Sequence, residues 1–149
     1  MYTKSHILLG AVFALMLYFV FHFSIASSLI VFLSSVLIDI DHYLFYAIGK
    51  RDFSLKNSYN WFVNLKKRFK ELPKGTRKKY SFGFTPLHSI EFLVPLFILG
   101  LLNRFFLLVF IGFFFHVFFD MLYEIFISKI AVYKISVIYT ALNKRFIGF

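Results

Sequence analysis

The chain of 149 residues contains no cysteine. That absence removes a disulfide framework, a thiolate metal site and a cysteine nucleophile together. Any metal must then be held by nitrogen and oxygen. Charge is scarce as well: 16% of the residues are Asp, Glu, Lys or Arg, against 60% hydrophobic, and mean hydropathy is +0.76. A soluble globular domain does not have that composition. Ser5 to Ile38 are 34 consecutive positions without one charged side chain, where a membrane-spanning helix needs about 20. The length suits one compact unit. The fold class expected is therefore all-α, a polytopic integral membrane helical bundle forming a single domain over residues 1–149.

A single helix over the first run would reach roughly 51 Å against a hydrocarbon core of about 30 Å. His22, Ser24, Ser27 and Ser28 cluster near its middle, so a hairpin with a turn near His22 to Ser24 is expected. Lys4, the apolar run and small residues around Ala26 mimic a cleaved signal peptide, but the apolar run continues past that point. Four spans emerge, at about 5–22, 25–48, 82–102 and 105–127. Asn103 and Arg104 form the last turn. Pro86 and Pro95 fall in the third segment, where proline kinks or breaks a spanning helix. The tail, 128–149, carries Lys129, Lys134, Lys144 and Arg145 and reads as an interfacial or fifth helix.

Residues 49–81 hold 11 of the 17 Lys and Arg residues and two acids, Asp52 and Glu71. The positive-inside bias makes this loop cytoplasmic. Within it Trp61, Leu65, Phe69 and Leu72 recur at helical spacing, with Lys66, Lys67, Arg68 and Lys70 filling much of the other side. This is the pattern of an interfacial helix facing anionic headgroups of membrane lipids. A net charge of +10 attracts any polyanion, but positive-inside asymmetry accounts for it and no nucleic-acid module is present, so no nucleic-acid partner is expected.

The remaining five acids, Asp39, Asp41, Glu91, Asp120 and Glu124, lie within or at the ends of apolar segments, accompanied by His6, His42, His88 and His116. If the basic loop is cytoplasmic, spans one and three begin on that side while spans two and four end there. All nine groups then gather at one membrane face; His22 alone falls at the opposite turn, as an ordinary interfacial histidine. Neighbours three or four apart share a helix face. Asp39 and His42 are three apart, as are His88 and Glu91, while His116, Asp120 and Glu124 step by four. Five carboxylates at a low effective dielectric repel one another, so a cation should sit among them. A divalent ion suits imidazole plus carboxylate, and an extra carboxylate can bridge a second ion. A proton or ion pathway uses the same residue types, and a buried polar network that only fixes helix packing is the third reading.

The order of these motifs resembles the YdjM-like membrane-bound metal-dependent hydrolases, small multispan proteins of bacteria and archaea. The resemblance covers nearly the whole chain. It rests on an early His in the first span (His6), a DxDH stretch closing the second (Asp39, Asp41, His42), a His-Ser pair opening the third (His88, Ser89), and HxxxD in the fourth (His116, Asp120). Family members often carry His-Arg-Gly shortly before the His-Ser pair. This chain has KKYSFGFTPLHS, with Gly83 but no His or Arg beside it, so Arg77, Lys78 or Lys79 would have to supply that cation. The family is distantly similar to the zinc phospholipase C and P1 nuclease group.

The resemblance implies a hydrolase of the cell membrane acting on a phosphoester of a lipid-like substrate at the cytoplasmic face. It also implies one or two divalent ions, zinc foremost, with manganese, iron or magnesium as substitutes. The candidate ligands are His6, Asp39, Asp41, His42, His88, His116 and Asp120. Glu91 or Glu124 is the candidate general base or outer partner. Ser89 reads as a helix-start hydrogen-bonder. A proton or metal-ion transporter and a structural membrane protein are the alternatives, and polar residues that stop at one face argue against a through-membrane path.

Overall fold

The computed structural model describes residues 3–73, 76, 80–81, 83–128, 136–143 and 145–146. Their architecture is almost wholly helical. The elements are α1 (Thr3–Phe19), α2 (Ile25–Leu37), α3 (Ile40–Lys50), α4 (Leu55–Glu71), β1 (Tyr80–Ser81), a 3-10 turn (Pro86–His88), α5 (Ile90–Leu102), α6 (Arg104–Leu122), a π-helical turn (Tyr123–Ser128), α7 (Val137–Asn143) and β2 (Arg145–Phe146).

The first hairpin forms where the polar cluster lies. His22 adopts a left-handed φ of 54°, which reverses the chain. Ser24 then caps α2, its hydroxyl accepting from the Ser27 N–H at 3.1 Å, a bond that satisfies one of the open donors of a helix start. Helix α2 is the centre of the bundle, packed on α1 and α6, while α5 packs on the outer side of α6. Buried Leu17, Val31 and Leu108 meet at the core, ringed by Phe13, Phe23, Ile30 and Ile111. Close approach depends on small residues. A Cβ on Gly112 would fall 2.5 Å from the Val31 carbonyl oxygen and 2.7 Å from Ser34 Cβ, so α6 lies directly against the α2 backbone.

Two helical stretches, Ile25–Lys50 and Arg104–Phe126, are long and apolar enough to cross a membrane. The first is α2 and α3 joined through a tight turn at Ile38–Asp39, where the Asp39 N–H reaches the Val36 carbonyl at 3.4 Å and the His42 N–H reaches the Asp39 carbonyl at 3.1 Å. Helices α1 and α5 are apolar but shorter. The 13 residues of α5 rise only about 20 Å, because the described residues of the anticipated third span, 82–102, are α-helical only from Ile90. Pro86 instead opens the 3-10 turn, and Pro95 lies inside α5.

Helix α4 forms as its periodicity suggests, but Leu65 and Phe69, 3% and 2% exposed, are buried against protein, and the Trp61 ring lies 5.6 Å from that of Tyr46. The apolar stripe is thus largely used in packing, while Lys56, Lys67, Arg68 and Lys70 remain exposed. Asp52 clamps the α3–α4 junction, accepting from the Tyr46 hydroxyl, the Ser54 N–H and the Asn57 amide. In the tail, the described residues form the seven-residue α7, far below spanning length. The two-residue parallel pairing of β1 with β2 was not anticipated. Arg77, Lys78, Lys79, Lys129, Lys134 and Lys144 lie outside the described residues.

Candidate metal centre

Four separate stretches of chain carry the polar groups to one place. His6 stands four residues before Gly10 on α1, and a Cβ at Gly10 would collide with Ser35 of α2, so this crossing is close enough to bring His6 inward. Asp39, Asp41 and His42 sit at the α2–α3 turn. His88 ends the 3-10 turn, held by the Ser89 hydroxyl donating to the Pro86 carbonyl at 2.7 Å. His116 and Asp120 share the inward face of α6, on the same stripe as Gly112. All are buried or nearly so: His6 5%, His88 3%, His116 2%, Asp120 7%, with Asp39 and His42 half-buried.

The hydrogen bonds of the two central imidazoles fix which nitrogen carries the proton. His116 Nδ1 lies 2.6 Å from the Ser35 carbonyl oxygen, which can only accept, so Nδ1 is the donor. His88 Nδ1 lies 3.0 Å from Asp41 Oδ2, and a carboxylate in the same position demands the same tautomer. Both rings in their neutral form therefore turn an Nε2 lone pair inward. Those two Nε2 atoms are 3.2 Å apart. Facing lone pairs at that distance repel unless a cation lies between them.

Asp39 supplies the third corner. Its Oδ1 is 3.5 Å from His88 Nε2 and 3.6 Å from His116 Nε2. A triangle with edges of 3.2, 3.5 and 3.6 Å has a circumradius of about 2.0 Å, so one point lies at zinc-ligand distance, about 2.0 to 2.2 Å, from all three donor atoms. His42 Nε2 approaches the same Asp39 oxygen at 3.8 Å. On the other side the His6 ring stacks on that of His116, centroids 3.9 Å apart, and its Nε2 reaches Asp120 Oδ1 at 3.3 Å. Three sets of donors within 4.8 Å of one another result: His6, Asp39 and His116; Asp39, His42 and His88; His88, His116 and Asp120. These buried groups can coordinate a metal ion.

Six of the seven expected ligands thus converge. Asp41 does not stand in any of those sets. Its Oδ2 accepts from the Leu87 N–H at 3.2 Å and from His88, which makes it the carboxylate that orients a ligand histidine. Glu91 is placed elsewhere: it accepts from the Ser136 hydroxyl and from the Val137 and Ile138 N–H groups at 3.2 and 3.3 Å, holding the start of α7. The sequence pairing of His88 with Glu91 assumed one continuous helix, but Ser89 is extended (φ −101°, ψ 155°) between them. Glu124 is buried at 8% in the π-helical turn, also outside the three sets. The Ser35 carbonyl and the Leu87 N–H, both backbone, left no trace in side-chain patterning. Phe62 of α4, edge-on to His42 at 5.2 Å, was also missed. Comparison of the chain with known protein families, curated proteins and solved structures finds no match.

Proposed function

We propose that the chain is an integral membrane protein of four spans, a hydrolase whose divalent metal centre lies toward the cytoplasmic end of the bundle and cleaves a phosphoester of a lipid-like substrate. The observation that carries the metal is the triangle of His88 Nε2, His116 Nε2 and Asp39 Oδ1 around one common point. Broad apolar exposure supports the membrane: Leu8, Val12, Leu15 and Phe19 form an outward stripe on α1, each more than half exposed, and such surface is stable against lipid but not against water. The non-helical stretch before α5 fits the same reading, since Gly83, His88 and Ser89 are buried within the protein, where irregular backbone at membrane depth is tolerated.

A bound divalent ion, zinc foremost, would supply a Lewis acid and a water nucleophile of lowered pKa. The chain's own residues do the rest. Asp41 and the Ser35 carbonyl hold the two imidazoles with their lone pairs inward. His6 and Asp120 flank the triangle, and a second ion would draw on His6 with Asp39 and His116, or on Asp120 with His88 and His116. Glu124, buried one turn beyond Asp120, is the remaining candidate for a base. The exposed row Lys56, Lys67, Arg68 and Lys70 would face anionic headgroups beside the site.

Metal analysis of protein purified in detergent tests the centre. Bound zinc, manganese or iron at one or two ions per chain is expected, with loss in the Asp39→Ala, His116→Ala double variant. Chelator-sensitive release of phosphate or alcohol from phosphoester substrates tests the hydrolysis. Folded protein without metal would mean that a proton bridges the two imidazoles and that the cluster only fixes helix packing.

A further inference from the structure

Ile40, Leu44 and Ile48 step by four along the exposed side of α3, and just past the end of that helix Phe53 and Leu55 follow, 76% and 72% exposed. The turn that presents them is tied down. The Tyr43 hydroxyl donates to the Phe53 carbonyl at 2.8 Å, and Asp52 holds the Ser54 N–H and the Asn57 amide beside it. Along α4, Leu55, Tyr59, Lys66 and Lys70 step by four, seven and four and so share one flank, with exposed Lys56 and Lys67 at its border. Apolar and aromatic side chains lead and ammonium groups follow, which is the order of a membrane boundary, where rings sit at headgroup level and lysines extend to the phosphates. The inner side of the same helix reaches the candidate centre. Phe62 stands edge-on to His42 at 5.2 Å, and His42 Nε2 is 3.8 Å from Asp39 Oδ1.

We infer that this flank of α4 docks anionic phospholipid headgroups and that lipid seated there holds the helix over His42, so that the centre responds to the charge of the surrounding leaflet. The inference rests on the membrane and metal readings above and adds a regulator to them. Charge complementarity selects an anionic occupant, since the exposed side chains at the border and far end of the flank are lysines. The apolar surface selects a lipid: a polyanion dissolved in water would match the lysines but leave Phe53 and Leu55 wet, whereas a leaflet covers both and continues the lipid-facing surface of α3. Coupling follows from the stiffness of a helix. Lys56 and Lys67 lie on either side of Phe62 in sequence, so lipid that pins them pins the ring against His42. An uncharged leaflet gives the lysines no such hold, and α4 swings off the centre more often.

The full chain, loaded with zinc in nanodiscs of phosphatidylcholine alone or mixed with phosphatidylglycerol, tests this. Hydrogen exchange over 55–71 should slow by about threefold or more when phosphatidylglycerol is present, and extraction of zinc by a chelator should slow with it. Both effects should vanish in the Lys56→Gln, Lys67→Gln, Lys70→Gln variant, while unchanged exchange in α2 and α6 reports that its bundle is folded. Phe62→Ala separates the two links: phosphatidylglycerol should still protect α4, but zinc release should no longer depend on it. Equal exchange of wild-type α4 in both lipids, or the full lipid effect in the triple variant, would overturn the docking surface whether or not zinc binds. Protection of α4 in a chain that retains no zinc would uphold the docking and overturn the metal centre. Protection with zinc release indifferent to lipid would overturn the coupling. A short oligonucleotide that protects α4 in phosphatidylcholine discs as well as phosphatidylglycerol does would overturn the choice of lipid.

Discussion

Asp41 and Ser35 act on the candidate centre without belonging to it. Each accepts a hydrogen bond from the Nδ1–H of one histidine, and so each decides that Nε2 is the atom offered inward. Asp41→Asn keeps the size but loses the charge and can present an amide N–H to Nδ1, which favours the wrong tautomer. Zinc affinity should fall by about 10- to 100-fold, read by competition with a chelator of known affinity. Gly112 is the other residue on which the geometry turns. In Gly112→Ala the added methyl meets the Val31 carbonyl at 2.5 Å and the Ser35 N–H at 3.0 Å, so α6 must move off α2. A loss of about 1 to 3 kcal/mol is expected, seen as a lower melting temperature in detergent, with weaker metal retention because His116 rides on the same helix. The spacing of His116 and Asp120 was readable in advance, since i, i+4 on an apolar helix has one geometric meaning. The role of Asp41 was not, because a DxDH string says which residues are near and not which carboxylate faces the ligand and which stands behind it.

At the scale of elements, the breaks matter more than the helices. The 3-10 turn at Pro86–His88 and the extended Ser89 rotate His88 away from Glu91, freeing the histidine for the site and the carboxylate for α7. The signal was present as Pro86, then Ser89 as a helix-start residue with an acid in the first turn, but Phe84 and Leu87 before it and the apolar run of α5 after it extend the apparent span across the boundary. Glu91→Ala should expose the start of α7 at a cost of about 1 kcal/mol. Faster hydrogen exchange over 137–143 with unchanged metal content is the expected result; lost metal would return Glu91 to the centre. The α3–α4 junction is a second such device. Asp52 is held below the usual carboxylate range, chiefly by the Tyr46 hydroxyl and then by the Ser54 N–H and the Asn57 amide. A lowered folded-state pKa means that the clamp contributes in full above the unfolded value of about 3.9 and is lost as pH falls further, through the folded value. Exchange in α4 should therefore rise only in strong acid, whereas Asp52→Asn should show the increase at neutral pH. The amphipathic period of α4 was legible, but period alone does not say whether the partner of an apolar face is lipid or protein, and here Phe69 and Leu65 are covered by protein.

Across the whole molecule, the helical class and the first hairpin followed from composition and from the serine cluster near His22. Convergence of six polar side chains followed from topology alone: if the basic segment marks one end, helix direction sends each motif to that end. What topology could not supply was distance, and the 3.2 Å approach of His88 to His116 depends on where Gly112 lets two backbones meet. That assembly spreads the donors from His6 near one end of the chain to Asp120 near the other. No fragment ending before α6 holds the triangle of His88, His116 and Asp39, so on the metal reading proposed above that triangle is complete only once α6 packs on α2. On that proposal the ion would enter a bundle already assembled, and starvation for it would leave folded apoprotein waiting instead of chain that never matured.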